Sequence, residues 1–267
     1  MKKREVTENG LIADLFTDGS VQPQKAIIML GGSEGGKSWS RIKRPVELLV
    51  KRGYAVLSLA YFKEAGLPGS LQEIPLEYFK KAFDWLSDQA EIVPDQVAIL
   101  GGSKGAEAAL LLGSKYPQVK AVVAFSPSSV IWQGIPSKRF ELGKDVKSSW
   151  TMNGVGLPFL PYLSPIKKGQ LILLRLRDMH EAALQGIGNQ SEVEIQVEKI
   201  QGSILLLSGM RDQLWPATLM SEQIMNRLKM NGFGYPIEHL KFNSNHNGIV
   251  MNKDSWRKIF AFLNEHF

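Results

Sequence analysis

Short apolar runs alternate with helical patterns along most of the 267-residue sequence, and this alternation limits the possible folds. Near-continuous apolar runs are typical of strands that are buried on both faces of a sheet. A repeated strand–helix order predicts a parallel sheet that is covered by helices on both faces. We therefore predict an α/β fold with a mostly parallel sheet. The clearest runs are AIIML (26–30), YAVLSLAY (54–61), QVAIL (96–100), AVVAFS (121–126) and SILLLS (203–208).

The segments between these runs have the apolar spacing of helices. Pro45 and Pro216 stand at the start of two of them, a position that tolerates proline. A last strand, IEHLKFN, precedes the final helix, and the opening stretch GLIADLFTDG predicts a hairpin edge strand. The predicted helices cover residues 45–52, 75–89, 105–117, 216–230 and 253–267.

The alternation is interrupted from about residue 128 to residue 198. Loop residues are frequent there, and helical patterns are weak. An insertion of this length in a compact domain usually has a function, so we expect a lid or binding cap. A structural excursion without a functional role stays the alternative. Because the chain has no repeats, low-complexity tracts or linkers, we expect one domain of residues 1–267.

Bulk composition narrows the classes of function. Apolar residues make up 44% of the chain and charged residues 22%, as in globular proteins with a large core. The absence of cysteine excludes disulfides, thiolate metal sites and a cysteine nucleophile, and it suits a reducing compartment. No apolar run reaches the ~18 residues of a membrane span, and no apolar segment of a signal peptide follows the basic start. We expect a cytoplasmic protein without a membrane span.

The net charge of +6 comes from short basic groups, such as RIKRP at 41–45, and not from one long block. A solvated basic surface is the interpretation we favour, and attraction of a compact anionic substrate stays open. Because no known nucleic-acid-binding motif accompanies the charge, we do not expect nucleic acid as a partner.

The stretch QVAILGGSKGAEAALLLG contains the pattern G-x-S-x-G, formed by Gly101, Ser103 and Gly105. The pattern alone is weak in a chain with 25 glycines. Its position between a predicted strand and a predicted helix is the one that a nucleophile elbow requires. The alternative is an ordinary glycine-rich turn. We predict that Ser103 is exposed at the carboxyl end of the sheet as a nucleophile.

A serine hydroxyl needs a base that accepts its proton, and the acid and the base should follow later strands in that order. Asp212 follows the predicted strand SILLLSG, and His246 lies between the last strand and the last helix. Taken alone, either residue would be read as structural. Together with Ser103 they have the order and setting of a catalytic triad. The other histidines have different settings: His180 in the insertion, His239 inside the last predicted strand and His266 beside the end of the chain.

The loop GGSEGGKS, residues 31–38, has two interpretations. Gly31, Gly36, Lys37 and Ser38 fit the phosphate-binding pattern G-x-x-x-x-G-K-[ST]. A phosphate loop should continue into a helix, however, and Pro45 would break that helix in its second turn. The alternative is an oxyanion loop, which supplies backbone N–H donors to a tetrahedral intermediate.

We favour the oxyanion interpretation of this loop. The first predicted donor is the N–H of Lys104, the residue after the nucleophile. The second is the N–H of Ser33, with Gly32 as second choice. This chemistry requires neither a metal ion nor a cofactor.

Several stretches resemble the catalytic domain of the acyl-CoA thioesterase / bile acid-CoA:amino acid N-acyltransferase family, a dienelactone-hydrolase-like branch of the α/β-hydrolases. The resemblance runs from about residue 10 to the end, without a counterpart of the N-terminal β-sandwich domain of the animal members. It implies the triad Ser103, Asp212 and His246. It is carried by YAVLSLAYFKEAGLPGSLQEIPLEYFKKAFDWL, VAILGGSKGAEAALLL, AVVAFSPSSVIWQG, SSWTMNGVGLPFLPY and ILLLSGMRDQLWP.

In that family a cysteine nucleophile accompanies conjugation, and a serine accompanies thioester hydrolysis. The resemblance therefore implies a serine hydrolase that cleaves acyl thioesters of the acyl-CoA type, or carboxylic esters, through an acyl-enzyme. Transfer of the acyl group to an amine or alcohol is the first alternative. A non-catalytic binding protein on the same fold is the second, and the complete triad argues against it.

Overall fold

The computed structural model describes residues 1–138, 141–142, 145–162, 169, 175–186 and 191–267. Within these residues, eight strands form the central sheet in the order β1-β2-β4-β3-β6-β7-β10-β11, and β5, β8 and β9 form a small second sheet. The strands are β1 Lys2–Val6, β2 Ile12–Thr17, β3 Gln24–Leu30, β4 Ala55–Ala60, β5 Ile74–Pro75, β6 Ile92–Gly102, β7 Val119–Phe125, β8 Trp150–Met152, β9 Val155–Gly156, β10 Ser203–Gly209 and β11 Ile237–Phe242.

The central sheet is mostly parallel, as predicted. From β4 to β11 every neighbouring pair in the sheet is parallel, and β2 joins β4 in the antiparallel sense. The carboxyl ends of the parallel strands therefore meet at one edge, where the loops that follow them come together.

The strand predicted at 10–19 is present, but it is the second strand of the sheet and not the edge strand. Ile12–Thr17 forms β2, and the edge of the sheet is β1, which pairs with β2 in a hairpin. The sequence of β1, KKREV, buries only Val6. An edge strand with solvated side chains needs no apolar run, so the sequence of β1 lacks the pattern that predicts the buried central strands.

Helices cover both faces of the sheet. Residues of β3 alternate between two core clusters: Ile28 packs in one cluster, and Ile27 and Met29 pack in the other. The α-helices of the described residues are α1 Ser38–Arg41, α2 Lys43–Val50, α3 Leu76–Ser87, α4 Lys104–Lys115, α5 Arg177–Gln185, α6 Ala217–Met230, α7 Gly248–Met251 and α8 Lys253–His266. Among the described residues, no helix is both long and apolar enough to cross a bilayer.

The insertion predicted at 128–198 is described in part. Residues 139–140, 143–144, 163–168, 170–174 and 187–190 lie outside the described residues. The described part contains β8, β9 and α5, and β8 pairs with β5. Its apolar side chains form a third core cluster with residues that follow β10: Val130, Trp132, Leu160, Ala183, Leu184 and Val193 pack with Trp215, Ala217 and Met220.

Candidate active site

Ser103 lies at the sharp turn between β6 and α4. Its φ of 56° and ψ of −119° are unusual for a residue with a side chain, and such a conformation costs of order 1–3 kcal/mol. A Cβ atom on Gly101 would overlap the Gly105 carbonyl group, and one on Gly105 would overlap the carbonyl oxygens of Leu30 and Gly31. Both glycines of G-x-S-x-G are therefore required by close backbone packing, as in a nucleophile elbow.

Asp212 and His246 are joined by a hydrogen bond. His246 Nδ1 lies 2.6 Å from Asp212 Oδ2. Asp212 is fully buried, and its Oδ1 accepts hydrogen bonds from the backbone N–H groups of Leu214 (2.9 Å) and Trp215 (3.3 Å). These contacts hold the carboxylate in one orientation. Because β10 and β11 are parallel neighbours, the loops that carry the two residues emerge at the same edge of the sheet.

Ser103 and His246 line one cavity of about 220 Å³. Nε2 of His246 is buried and has no hydrogen-bond partner among the described residues, while Nδ1 is engaged by Asp212. The backbone of His246 is held by Ser126, whose Oγ donates to the His246 carbonyl oxygen at 3.1 Å. The cavity thus brings together a strained serine and an imidazole whose outer nitrogen is unengaged in the described part of the chain.

The two predicted oxyanion donors also line this cavity. Lys104 is the first residue of α4, where helix N–H groups have no partner within the helix. Ser33 lines the cavity from the loop after β3. The second-choice donor, Gly32, donates its N–H to Glu34 Oε1 at 2.9 Å. That bond engages the Gly32 N–H with a carboxylate.

The phosphate-loop interpretation of GGSEGGKS does not fit the position of its lysine. Lys37 Nζ forms ion pairs with Asp14 Oδ1 at 3.0 Å and Glu5 Oε1 at 3.2 Å, both on the N-terminal hairpin. The helix that follows the loop ends after one turn at Arg41, and Pro45 lies in the first turn of the next helix. Lys37 therefore anchors the hairpin to the loop.

Replacing Lys37 with alanine should lower stability and leave the hydrolysis that the sequence predicts within about twofold of wild type. The buried Asp14 would keep Lys3 as a partner at 3.1 Å but would lose Lys37, so we expect a loss of ~1–2 kcal/mol. Urea unfolding and steady-state rates measure the two effects. ATP with magnesium should not raise the melting temperature of wild type. Micromolar ATP binding that disappears in Lys37→Ala would contradict the oxyanion interpretation.

His180, in the insertion, also lines the cavity, although the sequence does not predict it there. It is buried on α5, and its Nδ1 lies 2.8 Å from the Leu176 carbonyl oxygen. Burial lowers the pKa of His180 to about 4, so the ring is neutral at pH 7. A lone histidine in an irregular segment carries no sequence signal of such a position. Aromatic rings surround it edge-on, namely Trp132, Tyr162 and Trp215.

Acidification should destabilise the fold through His180. The unfolded residue titrates near pH 6.5 and the folded one near 4, so the unfolded state binds the proton first. The stability contributed by the neutral ring is fully present above pH 6.5 and is lost as the pH falls. The loss reaches about 3 kcal/mol at pH 4. Urea unfolding between pH 7 and pH 4 should show a smaller acid loss for His180→Gln than for wild type. An equal loss of stability in wild type and His180→Gln would mean that other groups cause the acid effect. The control is His266→Gln, which should behave like wild type.

The parallel sheet, the helices on both of its faces and the serine elbow at its carboxyl edge define an α/β-hydrolase. The profile of the family described as "BAAT / Acyl-CoA thioester hydrolase C terminal" matches residues 74–249. The chain belongs to this family, and the resemblance inferred from its motifs is confirmed.

Relatives in the family carry both thioesterase and acyltransferase names. Acyl-coenzyme A amino acid N-acyltransferase 2 of Rattus norvegicus is 30% identical over 87% of this chain and 51% of its own length. Acyl-coenzyme A thioesterase 6 of Mus musculus is 28% identical over 88% of this chain and 51% of its own length. The chain thus spans about half the length of these relatives.

Solved structures share the fold. The esterase Pf2001 of Pyrococcus furiosus is 20% identical, with a TM-score of 0.62 over 99% of this chain and 92% of its own. A dienelactone hydrolase from Anabaena variabilis is 15% identical, with a TM-score of 0.57 over 99% of this chain and 95% of its own. At these identities the likeness extends to the fold alone.

Proposed function

We propose that the protein is a serine hydrolase that cleaves acyl thioesters of the acyl-CoA type, or carboxylic esters, through an acyl-enzyme. The observation that carries the proposal is the 2.6 Å bond between His246 and a buried Asp212, in a site where His246 shares a cavity with Ser103 on its strained elbow. A buried carboxylate that fixes an imidazole beside a serine is the arrangement that activates serine nucleophiles.

In the proposed reaction, Ser103 Oγ attacks the acyl carbonyl carbon and passes its proton to His246 Nε2. Asp212 holds the proton on Nδ1 and stabilises the imidazolium that forms. The N–H groups of Ser33 and Lys104 bind the oxyanion. The tetrahedral intermediate collapses to the acyl-enzyme and releases the thiol or alcohol, which takes the proton from His246.

Deacylation follows the same path in reverse. Water gives a proton to His246 and attacks the acyl carbon; the second intermediate then collapses, His246 returns the proton to Ser103 Oγ, and the carboxylic acid is released. A thioester suits this site because the leaving thiol has a pKa near ~8.5, so its departure needs little assistance from an acid. We propose that residues 1–267 act as one domain, and that the protein is cytoplasmic, as the absence of cysteine suits.

Hydrolysis panels test this proposal. Purified protein should hydrolyse acyl-CoAs of one or more chain lengths, p-nitrophenyl esters, or both, and a fluorophosphonate should label it once. A protein that neither hydrolyses these substrates nor reacts with the probe would be a non-catalytic binding protein instead.

Acyl transfer to an amine is the second candidate, because relatives of comparable identity are named amino acid N-acyltransferases. Amino acids added to the acyl-CoA reactions distinguish the two activities. N-acyl amino acid formed in excess of free acid would favour transfer, whereas free acid as the main product supports hydrolysis.

Salt should slow the reaction with acyl-CoA if a CoA thioester is the substrate. CoA carries several phosphate charges and the chain has a net charge of +6, so screening weakens capture. We expect kcat/KM for acyl-CoA to fall at least roughly threefold between ~0.02 and ~0.3 M salt. Hydrolysis of a neutral ester of the same acid is the control and should change little. Equal responses of the two substrates would point to an uncharged natural substrate.

A further inference from the structure

An ion pair between Lys104 and Glu107 lies buried beside the candidate nucleophile. Lys104 Nζ is 2.7 Å from both carboxylate oxygens of Glu107, and the side chains are 2% and 0% exposed. Burial lowers the pKa of Lys104 and raises the pKa of Glu107, while their attraction opposes both shifts. Because a buried pair is often no more stabilising than apolar side chains of similar volume, stability alone does not account for it.

The pair joins the elbow helix α4 to the insertion. Glu107 Oε1 accepts hydrogen bonds from Trp150 Nε1 at 2.8 Å and from the Trp132 backbone N–H at 3.3 Å. Lys104 Nζ donates to the Trp132 carbonyl oxygen at 3.4 Å, and Ser149 Oγ donates to the same oxygen at 2.9 Å. Both backbone polar groups of Trp132 are thus held by one salt bridge on α4.

Trp132 in turn supports the cavity wall. Its ring stacks on Tyr162, with ring centroids 5.7 Å apart and planes at 19°, and meets His180 edge-on at 4.7 Å. Tyr162 and His180 both line the cavity that contains Ser103. A change in the Lys104–Glu107 pair would therefore reach two lining residues of the Ser103 cavity through the side chain of Trp132.

Lys104 has a second link to the chemistry through its own backbone. It follows the strained Ser103 directly, and its N–H is the predicted oxyanion donor. A side chain bound at its tip by Glu107 and the Trp132 carbonyl restricts the backbone to which it is attached. Oxyanion donors act only when they are aimed at the place where charge develops, so such restriction has a direct catalytic use.

We propose that the Lys104–Glu107 pair is a positioning device, which aims the Lys104 N–H at the oxyanion and, through Trp132, holds Tyr162 and His180 in place in the cavity that contains Ser103. This inference rests on the proposed function. Both charged side chains are buried, at 2% and 0% exposed. The pair acts through the Lys104 backbone and through Trp132.

The double variant Lys104→Met/Glu107→Gln tests the proposal. It removes both charges, keeps an amide oxygen for Trp132 and Trp150, and leaves Ser149 Oγ as a donor to the Trp132 carbonyl, so it should fold. We expect kcat to fall about 10–100-fold, less than the loss of an oxyanion donor outright, with KM within about threefold. A trifluoromethyl ketone, which forms an oxyanion with the serine, should lose affinity by the same factor as kcat/KM.

The control is Arg227→Met/Glu198→Gln, which removes a partly buried ion pair away from the cavity and should keep wild-type kcat and ketone affinity. Glu107→Gln alone, a change of one atom, serves as a second test with the same expected direction if the double variant does not fold. Wild-type kcat and ketone affinity in a folded variant, with only the melting temperature changed, would overturn the proposal. Wild type without hydrolysis or fluorophosphonate labelling would instead refute the proposed function.

Discussion

Replacing Ser103 with alanine should lower kcat by roughly 10⁴–10⁶, equivalent to about 5–8 kcal/mol of transition-state stabilisation. Alanine lacks the attacking Oγ, so no acyl-enzyme forms. Only the oxyanion donors and substrate binding then remain to assist the attack of water. Binding should change little, because Oγ is a small part of the cavity surface. Steady-state rates on an acyl-CoA or a p-nitrophenyl ester measure the loss.

A fluorophosphonate provides the independent readout. Intact-protein mass spectrometry should find one adduct on wild type and none on Ser103→Ala. Ser114→Ala is a matched control, since Ser114 is a buried serine on α4, the helix that follows Ser103, and its Oγ donates to the Leu111 carbonyl at 2.7 Å. That variant should be labelled and active like wild type. An adduct on another serine, or an alanine variant with substantial activity, would remove Ser103 from the role of nucleophile.

The central strands of the fold could be predicted because each is buried on both faces. Runs such as Ile204–Leu207 are continuous in apolar residues since both sides of the sheet are covered by helices. The strands that the sequence did not predict are either solvated or very short. β1 is solvated at four of its five positions, and β5, β8 and β9 are only two or three residues long. Their pairing depends on contacts distant in sequence, and no local pattern encodes such contacts.

The candidate triad could be predicted for a related reason. Parallel strands send their loops to one edge, so Ser103, Asp212 and His246 needed only to follow the right strands. The support around them could not be predicted. Glu107 meets Trp132 and Trp150 across 25 and 43 residues of chain, through a part of the insertion without a regular pattern. His180 reaches the cavity in the same way.

The lysine of GGSEGGKS shows a limit of motif matching. Gly36, Lys37 and Ser38 satisfy a phosphate-binding pattern by residue type, yet the side chain of Lys37 is bound to Asp14 and Glu5. These two partners determine the role of Lys37. They lie on β1 and β2, outside the stretch that the pattern covers. The proline that follows was the better guide, because its backbone restriction acts locally.

Replacing His246 with alanine should cost nearly as much as the loss of Ser103. Without the imidazole no group accepts the serine proton or returns a proton to the leaving group, and Asp212 keeps only its backbone partners at Leu214 and Trp215. Because nucleophile and base act as one unit, their losses should not add. The double variant Ser103→Ala/His246→Ala should therefore have the kcat of either single variant within about tenfold. If the two sites were independent, their losses in kcat would multiply to roughly 10⁸-fold or more.

The remaining histidines supply the controls for this experiment. His239, on the edge strand, bonds Ser208 Oγ through Nε2 at 2.8 Å, and His266 packs edge-on against Phe262 in the last helix, with ring centroids 4.9 Å apart. Neither lines the cavity of Ser103, so alanine at either position should keep activity within about tenfold, or ~1.4 kcal/mol. Circular dichroism and urea unfolding confirm that each variant is folded. A folded His246→Ala protein with near-wild-type kcat, or multiplicative losses in the double variant, would mean that another group serves as the base.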